Sequence, residues 1–120
     1  MSKEFLYGEW VSNKEKTLIL MDKNLKKAIE NKSIIDLLGK MTYRFDKTFT
    51  SFADKHEASE NRIQFKYIVT NENSDSITIK YNPEFFFIYG NEISFIKKET
   101  NCIGVININS SIKFTEIFCK

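Results

Sequence analysis

Between Lys40 and Asp54 two extended runs meet at a tight turn, and no other stretch constrains the fold as strongly. Met41, Tyr43 and Phe45 alternate with Thr42, Arg44 and Asp46, and after Asp46-Lys47 the alternation resumes through Thr48, Phe49, Thr50, Ser51 and Phe52. Aromatic and β-branched residues at period two, broken by a polar pair, predict a β-hairpin. The same pattern returns at 62–70, where Ile63, Phe65, Tyr67 and Val69 share one face, and at 76–81, where Ile77, Ile79 and Tyr81 do. Asn71 to Asp75 supplies the turn between them.

Further runs follow at Phe85–Tyr89, Ile93–Lys97, Ile103–Ile108 and Ser111–Cys119, the last with Ile112, Phe114 and Phe118 on one face. Ahead of the first hairpin, Phe5–Ser12 reads as extended, and Thr17–Met21 reads as a second short strand after a polar turn. Ala53–Asn61 reads as a loop. From Asp22 the period changes. Leu25, Ala28, Ile29, Ile34, Ile35, Leu37 and Leu38 recur at spacings of three and four, which predicts one helical segment over about 22–38, capped by Asp22 or Asn24 and stopped by Gly39. Ser33 can cap a second piece of it.

A chain of 120 residues supports one hydrophobic core, so residues 1–120 read as a single domain. Eight or nine short antiparallel strands with hairpin-length turns predict a mainly β, β-rich α+β fold: one meander sheet, strongly curved or closed into a small barrel. Closure also removes the edge strands that such apolar runs would leave open to aggregation.

The first strand carries Gly8-Glu9-Trp10. With an early helical segment and a meander of strands, this start resembles the lipocalin and fatty-acid-binding-protein (calycin-type) barrels. The resemblance implies a barrel around an apolar cavity, and an arginine on a late strand near the tryptophan or the ligand. This chain has Lys113 there, which argues against an anionic lipid.

Several function classes lack the residues they need. Lys and Arg number 18 against 16 Asp and Glu, spread through both halves, and Arg occurs only as Arg44 and Arg62, so the clustered basic excess of a nucleic-acid binder is missing. The sole histidine, His56, lies in a polar loop without a Ser or Cys nucleophile placed beside it by sequence, and the expectation is a protein that is not an enzyme. No metal-ligand spacing and no glycine-rich phosphate loop occur, so no cofactor is expected. Glu116 is the one acid on an inward-reading face, either a strand-end residue or a lone polar group in a pocket. Cys102 and Cys119 can pair across neighbouring strands, or stand as two buried free thiols, which a reducing cytoplasm favours. No apolar run is long enough to span a bilayer or serve as a signal peptide, and the expected location is cytoplasmic, though a chain that had lost its leader reads the same.

Two binding readings remain. The first is a small module of the immunity or inhibitor kind that neutralises a protein partner. Its anchors are Phe86 and Ile88, on a run at 85–89 that is apolar on both faces and needs a cover. The second is a carrier of a small apolar ligand, with Trp10, Tyr43, Phe45, Phe65, Tyr67, Tyr81 and Phe87 lining the cavity. Packing of the same aromatics into a core is the simpler account of that stripe.

Overall fold

The period-two runs form eight strands: β1 (Gly8–Ser12), β2 (Met41–Phe45), β3 (Phe49–Asp54), β4 (Ile63–Glu72), β5 (Ser76–Tyr81), β6 (Glu92–Glu99), β7 (Cys102–Asn107) and β8 (Glu116–Cys119). They come from a computed structural model that describes residues 2–30, 38–47, 49–54, 63–81, 92–107 and 114–120. Each strand pairs antiparallel with the next, and β8 returns to β1, so the single sheet closes into a barrel. The expected mainly β fold, the meander and the closure are all present.

The hairpin at 40–54 forms, with Tyr43 opposite Phe52 and Phe45 opposite Thr50. Alternation then decides what fills the barrel. Trp10, Phe45, Phe65, Tyr67, Phe95 and Phe118 point inward with the branched residues of β5 and β7, and none is more than a few per cent exposed. Their rings meet edge to face at centroid distances such as 4.9 Å for Tyr43–Phe118 and 5.1 Å for Phe45–Phe95, favoured geometries for aromatic pairs.

Several boundaries differ from the sequence expectation, among them β4, which runs on through Asn71 and Glu72 of the expected turn. Phe5 does not open a strand, because Lys3–Leu6 is a 3-10 turn whose Leu6 plugs one end of the barrel. Ala53 and Asp54 belong to β3 rather than to a loop. The last strand begins at Glu116, so Phe114 leaves the face of Phe118 and joins a separate apolar cluster with Met21 and Leu38.

The largest correction falls at 17–21. The expected strand is a helix, α1 (Lys14–Ile19), because the Asn13 side chain accepts from the Lys16 amide at 2.9 Å and caps the first turn. A second helix, α2 (Lys23–Glu30), starts where expected, with Asp22 Oδ1 accepting from the Leu25 amide at 2.7 Å. Gly39 then takes a left-handed φ of +84°, a conformation open to glycine, and turns the chain into β2. The expected helical residues 31–37, the loop with His56 and the whole 85–89 run, with Phe86, Phe87 and Ile88, lie outside the described residues. No helix among the described residues is long and apolar enough to cross a membrane.

Candidate functional site

The two ends of the barrel are built differently. At the end plugged by Leu6, Trp10 is buried (1% exposed) and its indole Nε1 donates to the Leu6 carbonyl at 2.8 Å. Lys120 lies over the Trp10 ring at 4.7 Å and donates to the Tyr7 carbonyl at 2.9 Å. Lys120 lies one residue past β8, and Lys113 lies outside the described residues. Lys97 over Phe5 and Lys3 over Tyr67 repeat the arrangement at the same end.

Six of the seven residues expected to line a cavity are brought together inside the barrel, but they touch one another. Tyr43 packs on Phe45, Phe45 on Tyr67, and Phe65 on Tyr81, at 5.8–6.0 Å between centroids. Phe87 lies outside the described residues. Burial pushes the Tyr67 and Tyr81 phenols well above their ordinary range, with smaller contributions from Tyr7 and Asp46 at Tyr67 and from Tyr43 at Tyr81. Both stay neutral, and Tyr67 donates to the Asp46 carbonyl at 2.7 Å. This stripe is a packed core.

At the other end, α1 and α2 connect β1 to β2, and Glu116 sits here on the inward face of β8. It is a strand-end residue and a half-buried polar group at once. Its Oε2 accepts from the Ser12 hydroxyl at 2.6 Å, and Ser12 Oγ in turn accepts from the Gly39 amide at 2.9 Å. Burial pushes the carboxyl up to about 7, against the opposing pull of the Ser12 hydrogen bond. Ser12 is itself buried and Glu116 is half-buried, so this hydroxyl–carboxylate pair is partly shielded from water.

The feature that faces solvent is on the outside of the barrel, where α1 lies against β8. Thr17 fixes the rotation of that helix: fully buried, its hydroxyl donates to the Asn13 carbonyl at 2.7 Å and accepts from the Ile117 amide at 2.9 Å. The Asn13 amide donates to the Ile117 carbonyl at 2.8 Å, so helix and strand are joined through backbone as well. With Thr17 inward, Leu18 packs on the Met21–Leu38 cluster, and Ile19, roughly 200° further round the helix, faces away.

Ile19 is 73% exposed and Leu20 56%. They border an open cleft of about 320 Å³ whose remaining walls are Lys16, Lys98, Glu99 and Ile117. Lys16 Nζ bridges both Glu99 carboxylate oxygens, at 2.9 and 3.1 Å, and braces the cleft at its rim. Lys98 makes no ion pair among the described residues. Its stem crosses Gly104, where an added Cβ would stand 3.1 Å from Lys98 Cε and 2.6 Å from Thr115 Cγ2.

This surface is hidden from sequence reading because the apolar run at 17–21 reads as a strand. The signal was the Asn13 cap followed by Lys14-Glu15-Lys16, a helix start rather than a turn. The cysteines are bonded, Cys102 opposite Cys119 across β7 and β8. Among the described residues no three His, Cys, Asp or Glu side chains gather as metal ligands. No family model, no curated protein and no solved structure matches this chain.

Proposed function

We propose that this chain is a non-enzymatic protein-binding module of the immunity or inhibitor kind, and that its partner docks on the α1–β8 cleft. The observation that carries this reading is the pair Ile19 and Leu20, two large aliphatic side chains left in water beside an open apolar-floored cleft. Helix α1 buries Thr17 and half-buries Leu18 yet leaves this pair in water, and exposed apolar patches with polar rims are where proteins meet. The partner's matching surface is an apolar side chain with a carboxylate beside it. The apolar group replaces water over Ile117 and Leu20, and the acid meets the Lys98 ammonium, which has no ion-pair partner among the described residues.

The calycin-type carrier is the second reading. The closed eight-stranded barrel, the plugged end and the lysine over Trp10 favour that architecture, whereas the mutual packing of the aromatic stripe leaves less room for a ligand among the described residues. We propose a cytoplasmic location as well, against which the Cys102–Cys119 bridge sets an oxidising compartment.

One experiment separates the readings. Protein purified from its native host is examined by native mass spectrometry, and any co-purified protein is itself purified and titrated back calorimetrically. The protein-binding reading expects a stoichiometric complex that Leu20→Asp abolishes. A Phe86→Asp, Ile88→Asp double variant tests the other expected anchor. A bound small apolar molecule, retained by Leu20→Asp, would establish the carrier instead.

A further inference from the structure

The closing seam of the barrel is its shortest. β8 meets β1 through two residue pairs, Val11 with Cys119 and Ser12 with Phe118, against five between β2 and β3. One of those two pairs contains Ser12, whose hydroxyl links three separate pieces of the chain. Gly39, at the end of the helical insertion, donates to Ser12 Oγ, and Ser12 donates to Glu116 at the start of β8. Gly39 also holds the left-handed hinge through which the insertion enters β2. A single carboxyl thus lies where the insertion, the first strand and the last strand converge.

We propose that Glu116 is a pH-sensing clasp: protonated, it holds the helical insertion and β8 against the barrel, and on ionising it favours local opening of the β1–β8 seam. The physical reason is solvation. A carboxylate half-buried beside Ser12 and opposite Val105, its register partner on β7, has less water than an open seam supplies, whereas the neutral acid does not need it. The charged residue of α1 beside this cluster is Lys14, whose stem packs against Gly39. No charged side chain among the described residues counters the burial of Glu116, which is opposed only by the Ser12 hydrogen bond. The carboxyl is consequently poised at about 7 rather than in the ordinary acid range. Because α1 is pinned to Ile117 of β8, opening the seam also moves a wall of the outer cleft.

The test is native-state hydrogen exchange on the full chain, read as protection factors so that the intrinsic pH dependence of exchange is removed. In the wild type, protection of the Gly39 and Ile117 amides falls by up to about tenfold per pH unit between pH 5 and 7 and levels off above. Amides in the β4–β5 pairing, such as Ile79, do not follow. In Glu116→Gln, which keeps an acceptor for Ser12, the fall disappears. Ser12→Ala removes the hydrogen bond that favours the carboxylate, and the wild-type transition moves to higher pH. Flat protection in the wild type, or an unchanged fall in Glu116→Gln, would overturn the proposal. Should Glu116→Gln not fold, carbon-detected titration of the wild-type Glu116 carboxyl decides, and a midpoint below pH 5 overturns it equally.

Discussion

Replacing Trp10 by alanine removes the largest side chain in the core. The indole is 1% exposed, touches Phe5 at 5.8 Å between ring centroids, lies under Lys120 and donates its one N–H to Leu6. Truncating a buried aromatic to alanine costs about 3–5 kcal/mol in lost transfer energy and residual cavity. A freed, buried Leu6 carbonyl adds about 1–3 kcal/mol where water does not reach it. Since a domain of this size is stable by about 5–15 kcal/mol, the loss is a large part of the total. It corresponds to a fall in Tm on the order of 10–20 °C. Trp10 is the only tryptophan, so unfolding is followed by far-ultraviolet circular dichroism with heat and urea. Trp10→Phe separates the contributions, because it keeps a ring in the site and loses the indole N–H, for a cost of about 1–2 kcal/mol. If Trp10→Ala melts within about 4 °C of the wild type, the placement of β1 and its plug is wrong.

Three further outcomes follow from named contacts. The Glu116 carboxyl, near 4.5 when unfolded and raised to about 7 when folded, binds more protons in the native state, so its contribution to stability is fully present below pH 4.5 and declines as pH rises to 7. The decline is at most about 3 kcal/mol, reduced by whatever water reaches the group, and it vanishes in Glu116→Gln in urea melts from pH 4 to pH 8. Reducing the Cys102–Cys119 bridge, which spans 17 residues, releases about 3 kcal/mol of loop-closure restraint, seen as a lower urea midpoint with dithiothreitol and absent in a Cys102→Ser, Cys119→Ser variant. Gly104→Val displaces Thr115 and Lys98 from the outer face of β7 and lowers Tm, whereas Ile68→Ser, on a residue 64% exposed, leaves it within about 2 °C.

The strands were legible because burial on one face of a sheet writes itself as period two, and β2 and β5 carry that period without interruption, whereas β4 breaks it at the register shift between Val69 and Asn71. Helix α1 was not, since six residues with one charged turn hold too little periodicity to outweigh an apolar run. Its identity rests on one cap and on a threonine bonded to a strand 100 residues away. The same distance in sequence hid the partners of Glu116 and Trp10. Alternation placed Glu116 on the inward face, but Ser12 is 104 residues upstream, and Lys120 reaches Trp10 only because the barrel closes. Pairing of Cys102 with Cys119 depends likewise on the β7–β8 register, which no spacing rule supplies. The cleft escaped sequence reading for a different reason. Ile19 and Leu20 read as core until Thr17 is known to face β8.

Calorimetric titration of the purified partner protein into this chain and into its Leu20→Asp variant tests the central claim most directly. Partner binding through the α1–β8 cleft predicts a one-to-one complex with the wild type and affinity weakened at least a hundredfold in the variant, with unchanged melting of the free variant. Equal affinity of the two would contradict it.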